Sequence, residues 1–191
     1  ERAHFLDYPE DSCYLALLRR DHRFYRRIAE RVAEEITRHR ATHVLCDGVE
    51  FYNPVHDVTV PVVRCALDGS GASGRLLCDV PLVHHRRPGS GESCEIQRPR
   101  PSRRDLQEEF VLTAEEIAAK VSARRDVYTI LLDQIAGMLE GTPDRHFERE
   151  FVGRHAGLEL DPPDDVVLRY EWRGALLRER GEVDEAITFR D

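Results

Sequence analysis

Apolar positions recur at helical spacing over Asp21 to His39, where Tyr25, Ile28, Val32 and Ile36 share one face, Arg and Glu fill the others, and Asp21 stands where an N-cap belongs. This predicts an amphipathic surface helix. Its arginines read as a solvated face laced with Glu30, Glu34 and Glu35 rather than as an anion site. The next segment, Thr42-His43-Val44-Leu45-Cys46, is a short apolar run with β-branched members that stops at Asp47-Gly48, as a buried parallel strand does. A helix feeding such a strand is half of a βαβ unit, and ligands in open α/β sheets gather beyond the carboxyl ends of strands. The loop beginning at Asp47 is therefore where a site is expected.

Residues Asp57 to Leu67 carry two patterns at once. Val58, Val60 and Val62 alternate like a strand, while Asn53-Pro54 reads as an N-cap followed by proline at the first helical position. The helix is preferred, with Pro61 as the objection, because proline beyond the first turn removes a backbone bond. A Gly/Ser-rich connection (67–75) leads to a further strand over Leu76 to Val83, and the stretch His84 to Arg104, rich in Pro, Gly and Arg, is either a lid beside the site or a surface excursion. Thr113 opens a long helix, with Glu116 completing a capping box and Ile117, Val121, Tyr128, Leu131, Ile135 and Leu139 as its stripe up to Gly141. A last helix runs from about Asp164 to Arg180. The elements add up to one α/β domain over residues 1–191, Rossmann-like, with a mainly parallel sheet flanked by helices and a helical C-terminal region. The single methionine is Met138 and the chain opens with Glu1, so a natural N-terminal segment is expected upstream.

Composition narrows the function classes. A formal charge of −8 argues against a general nucleic-acid binder, and Lys120 is the only lysine among 28 basic residues, a bias attributed to coding composition rather than to phosphate recognition. The five cysteines (Cys13, Cys46, Cys65, Cys78, Cys94) are odd in number and never paired as C-x-x-C, which favours a reducing cytoplasm over a disulfide framework or a zinc finger. No apolar run approaches the ~20 residues of a membrane span. Cys46 lies beside Asp47, whose charge would raise its pKa, so a catalytic thiolate is not expected.

The chemistry concentrates in Asp47-Gly48-Val49-Glu50-Phe51-Tyr52-Asn53-Pro54-Val55-His56-Asp57. If Asn53 caps a helix, His56 falls in its first turn, where the imidazole reaches a ligand above the strand end as a neutral zinc ligand, with Asp57 or Glu50 orienting it. The alternative is that Asn53 and Asp57 are capping and helix-dipole residues and His56 a surface histidine. His84-His85 ends a strand where at most one of the two can face the same cleft, and both read as structural or loop residues; His43 is a boundary residue of the apolar run, and His146 and His155 have no partner at metal-ligand spacing.

The run Asn53-Pro54-Val55-His56 resembles the second motif, His-Pro-Asp-His, of the PIG-L (LmbE-like) zinc-dependent N-deacetylases, and Leu6-Asp7-Tyr8-Pro9-Glu10-Asp11 resembles their upstream Leu-x-x-Pro-Asp-Gly stretch. The resemblance spans roughly residues 5 to 67 and implies a metal-dependent hydrolase that deacylates an N-acyl amino sugar or similar small polar amide, with Zn2+ or another divalent metal on His56. The resemblance carries a role onto His56 alone; from their place in the same loop, Asn53 and Asp57 are candidate catalytic residues, and Glu50 and Tyr52 candidate substrate-binding residues. Two departures stand beside it. The family's first motif, His-Pro-Asp-Asp-Glu, which supplies two metal ligands and the catalytic aspartate, has no counterpart here, as a start upstream of Glu1 or a metal-free relative would explain. Asn53 replaces the motif's first histidine, and asparagine can donate a hydrogen bond to an oxyanion but cannot shuttle a proton. The rival expectation is a non-catalytic or metal-free α/β module that binds a small polar or sugar ligand through Tyr52, Asn53 and neighbouring loops.

Overall fold

The computed structural model describes residues 6–71, 74–85, 94–99, 101–126, 148–154, 162 and 168–189. Helices α1 (Glu10–Leu18) and α2 (His22–Arg38) precede strand β1 (His43–Asp47). Two consecutive helices, α3 (Pro54–Asp57) and α4 (Thr59–Gly69), carry the chain to β2 (Leu76–Val80). Then follow β3 (Val83–His85), β4 (Cys94–Ile96), a 3-10 turn η1 (Pro101–Leu106), β5 (Gln107–Val111), α5 (Ala114–Asp126), β6 (Arg149–Arg154) and α6 (Arg169–Glu179).

The local signals act as their chemistry predicts. The Asp21 carboxylate accepts from the N–H groups of Arg23 and Phe24, both at 3.1 Å, and starts α2. At α5, the Thr113 N–H donates to the Glu116 carboxylate (2.8 Å) and the Glu116 N–H to the Thr113 hydroxyl (3.3 Å), closing the capping box. The helix beyond Asp126, including its expected stripe from Tyr128 to Leu139 and His146, lies outside the described residues, as do His155 and the expected start of the last helix at Asp164. Pro61 decides the strand-or-helix ambiguity by position. It is the third residue of α4, where its missing N–H and fixed φ are tolerated, and the helical path breaks instead at Val58, between α3 and α4. The corner between α1 and α2 is a Schellman motif: the Arg20 N–H donates to Leu17 O (3.0 Å) and the Asp21 N–H to Ala16 O (2.8 Å), with Arg20 at φ 53 where glycine is usual.

The sheet corrects the expectation of a mainly parallel architecture. Among the described strands its order is β1-β2-β6-β5, and only β1 and β2 are parallel, with His43 opposite Leu76 and Asp47 opposite Val80. β6 pairs antiparallel with both β2 and β5. The C-terminal region is accordingly not wholly helical, since β6 crosses it. β1 is also not the fully buried strand expected: it lies at the edge of the described strands, and Leu45 is 57% exposed. The expected strand over Leu76 to Val83 divides at Pro81, β3 leaving the main sheet to pair with β4. The core lies on one face of the β1–β2 pair, where α2 packs on α4 through Ala29, Ile36, Val60, Val63, Ala66 and Leu67, with Val44 and Leu77 beneath them. No helix among the described residues is long and apolar enough to cross a membrane.

Candidate functional site

At the carboxyl end of β1 the chain makes a tight exit. The Gly48 N–H donates to Val80 O at 2.9 Å, and a Cβ at Gly48 would stand 3.3 Å from that same oxygen, so any larger residue would press β1 away from β2. Val49, Glu50 and Phe51 then turn inward and are buried, Phe51 completely.

Two carboxylates hold this loop. Oδ1 of Asp57 accepts from the N–H groups of Glu50 (2.8 Å) and Phe51 (3.1 Å), satisfying donors that no strand or helix reaches. Oε2 of Glu50 accepts from the N–H groups of Leu82 (2.8 Å) and Val83, tying the loop to the corner where the chain leaves β2 for β3. Phe51 is kept at φ 60, in the left-handed region that bulky residues avoid. Asn53 caps α3 through its Oδ1, which accepts from the Val55 N–H and from the Tyr14 hydroxyl, both at 2.9 Å. The Tyr14 pKa is pushed up, first by burial and then by the nearby Glu10 charge, with Tyr52 adding to the effect. Tyr52 itself is half-buried.

The first turn of α3 aims His56 back at the strand end. Its Nδ1 stands 2.7 Å from Oδ2 of Asp47, the last residue of β1. A carboxylate only accepts, so Nδ1 carries the proton and Nε2 is the nitrogen left for chemistry. The hydrogen bond to Asp47 is the largest cause of a raised His56 pKa; burial opposes it, and the charges of Asp47, Glu10 and Asp57 reinforce it. The Thr59 hydroxyl donates to His56 O at 2.7 Å and so fixes the backbone at the α3–α4 break.

The folded-state pKa of His56 therefore lies above its unfolded value. The stabilisation from the Asp47–His56 pair is complete below the usual histidine pKa of about 6.5 and is lost as pH rises through the higher folded value. In Asp47→Asn the imidazole is expected to titrate closer to its ordinary midpoint. An NMR titration of the His56 ring measures this, and an unshifted midpoint would contradict the assignment of Asp47 as its partner.

The five site residues expected from sequence thus separate. Asn53, Glu50 and Asp57 hold backbone and neighbouring groups, Tyr52 borders them, and His56 presents a ring nitrogen. The orienting partner expected for His56 was Asp57 or Glu50; Asp47 takes that place, because it ends β1 level with the first turn of α3. The sequence carried one signal for this, an acidic residue that closes an apolar strand.

A second polar cluster lies behind the loop. Asp79 on β2 is fully buried; its Oδ2 meets Arg103 of η1 at 2.7 Å, and its Oδ1 accepts from the Gln107 amide at 3.1 Å. The two groups reach each other over Gly153, the β6 residue opposite both Asp79 and Gln107, where a Cβ would stand only 2.7 Å from Oδ1 of Asp79. Cys46 is pushed up to about 12 by burial first, then by Asp79 and Asp47, which leaves its thiol protonated as expected.

Neither a protein-family model, nor a curated protein, nor a solved structure matches the chain.

Proposed function

We propose that the chain is a metal-dependent hydrolase of the PIG-L type, deacylating an N-acyl amino sugar or similar small polar amide at the carboxyl end of β1. One observation supports this most: the Asp47 carboxylate fixes Nδ1 of His56 at 2.7 Å and so frees Nε2. A carboxylate on the far nitrogen is the usual support of a metal-ligating histidine. The parallel β1–α3–α4–β2 unit, with the pair at the carboxyl end of β1, supports the Rossmann-like reading of the fold, in which ligands gather at strand ends.

The residues fit one corner of a metal centre. His56 supplies one ligand where three protein ligands are usual, and no group of three or more His, Cys, Asp or Glu side chains gathers at ligand distance among the described residues. A divalent metal bound there would polarise an amide carbonyl and acidify water. The chain's own residues do the rest. Asp47 sets the imidazole tautomer, Asn53 starts the helix that carries His56, and Glu50 and Asp57 keep the intervening loop in one conformation. Because His56 must lose its Nε2 proton to bind a cation, and its pKa is raised, metal affinity should strengthen as pH rises through that value.

A second reading, a metal-free α/β module for a small polar or sugar ligand, is favoured by one specific observation: Glu50, Asn53 and Asp57 are all engaged in holding the loop. Metal analysis of the full-length protein after dialysis against metal-free buffer separates the two. About one zinc per chain, lost in His56→Ala with the melting temperature little changed, is the expected result. Metal retained unchanged in His56→Ala would remove His56 as a ligand, and no retained metal in the full-length parent would move the reading to the binding module.

A further inference from the structure

Strand β1 lies at one edge of the described strands, and its outer side carries backbone groups that no described strand meets. The ladder with β2 fixes which groups these are. Thr42 O accepts from the Leu76 N–H and the Gly48 N–H donates to Val80 O, both at 2.9 Å, so the even-numbered residues face β2 and the N–H and C=O of His43, Leu45 and Asp47 point away from it. The side chains divide in the same way. Val44 and Cys46 pack on the core side, which places His43, Leu45 and Asp47 on the opposite face, where Leu45 is 57% exposed.

Such a strand is a template for another, and edge strands ordinarily carry lysine, proline or a bulge against it. β1 has neither lysine nor proline, and its sequence His-Val-Leu-Cys-Asp centres on an apolar side chain. Set antiparallel against itself about Leu45, that sequence is self-complementary. Leu45 meets Leu45 of the partner subunit, and at both ends His43 meets Asp47, so no acid opposes an acid. These are the same residues whose backbone groups face outward, so each opposed pair can exchange both of its N–H···O bonds. The Asp47–His56 bond occupies Oδ2 of the carboxylate, and the pairing calls only on Oδ1. On His43, Nδ1 stands 3.0 Å from the Thr42 hydroxyl, which leaves Nε2 to donate. The Asp47 carbonyl already accepts from the Thr59 hydroxyl at 3.4 Å, a long contact that leaves it a second lone pair.

The opposite edge of the described strands does not offer this. β5 paired with itself about its centre would set Glu109 against Glu109 of the partner subunit, a like-charge contact, although Phe110 is 47% exposed there. Association through β1 uses the same patch on both copies and closes at two.

We infer that β1 is the interface of a two-fold dimer of this chain, the two copies pairing antiparallel along His43–Asp47 so that one sheet runs through both. The pairing sets the partner subunit's His43 beside Asp47, yet it rests on no part of the hydrolase reading, since its test reads association alone.

Sedimentation velocity of the intact protein over a concentration series is that test. A strand pairing of this length buries less than the ~1,000 Å² of a tight interface, so a reversible dimer with a dissociation constant of about 1–100 µM is expected. Leu45→Lys, at an exposed position, should leave the protein monomeric throughout with its circular dichroism unchanged. His43→Asp sets an acid against Asp47 at both ends and should weaken the dimer by about 3- to 30-fold, whereas His43→Lys should keep or tighten it. In a Cys65→Ser background, which removes an exposed thiol, Leu45→Cys should be captured as a disulfide-linked dimer, because an opposed hydrogen-bonded pair stands ~5.5 Å apart at Cα, within disulfide reach. A monomer at every concentration, association that Leu45→Lys leaves intact, or equal effects of the two His43 variants would each overturn the assignment. So would a dimer lost in Phe110→Lys instead, which would give the interface to β5.

Discussion

Arg103→Met is expected to destabilise the protein by about 3–5 kcal/mol, the range for a buried charge that loses its partner. Asp79 is fully buried and Arg103 nearly so, with Oδ2 of the acid 2.7 Å from the guanidinium. The pair has already lost its hydration, and removing Arg103 takes the guanidinium from Oδ2 of the buried carboxylate, whose Oδ1 still accepts from the Gln107 amide. Methionine retains much of the arginine stem's volume, so the loss reports charge rather than packing. In urea unfolding, the midpoint should fall at nearly constant slope. Adding Asp79→Leu to Arg103→Met should recover most of the loss, because removing both charges removes the desolvation penalty too. A loss below about 1 kcal/mol in Arg103→Met, the scale of an exposed pair, would show that the ion pair is solvated in solution.

What could be foreseen divides along the same line between local and distant effects. The Asp21 cap, the Thr113–Glu116 box and the Asn53-Pro54 helix start each depend on residues within one turn, so sequence alone carries them. β5 and β6 escaped because Gln107-Glu108-Glu109-Phe110-Val111 and Arg149-Glu150-Phe151-Val152-Gly153-Arg154 show little apolar alternation. Part of what holds these strands is the ion pair of Arg149 with Glu109, forty residues away in sequence. The error about the sheet follows directly, since those two strands supply its antiparallel ladders. At the site, the dense run from Asp47 to Asp57 was visible, but the division of labour within it was not. Which acid reaches His56 depends on how the loop folds inward at Val49 to Phe51, and that burial is decided by tertiary packing. Asp79 left a trace as a charged residue inside an apolar strand, whereas its partner Arg103 was hidden in an arginine-rich stretch.

Phe51→Ala is expected to remove about 3–5 kcal/mol of stability and to loosen two regions at once. The Phe51 ring has no exposed surface and packs at 5.6 Å from the ring of Phe189, near the C-terminal end of the described chain. Its carbonyl accepts from the Arg169 N–H at 2.9 Å, the first residue of α6. A single residue of the candidate site thus anchors both the loop carrying Glu50 and the segment that follows β6. Alanine keeps the same left-handed backbone requirement, so the substitution relieves none of the strain at φ 60 while losing the ring that offsets it. Limited proteolysis should then cut within 180–189 at protein concentrations and temperatures where the parent chain resists, and thermal unfolding should shift down by several degrees. Phe51→Leu, which retains much of the buried volume, should cost under about 1.5 kcal/mol and leave the C-terminal segment protected. Equal losses in the two variants would mean that the backbone contacts to Asp57 and Arg169, rather than the ring, hold the loop in place.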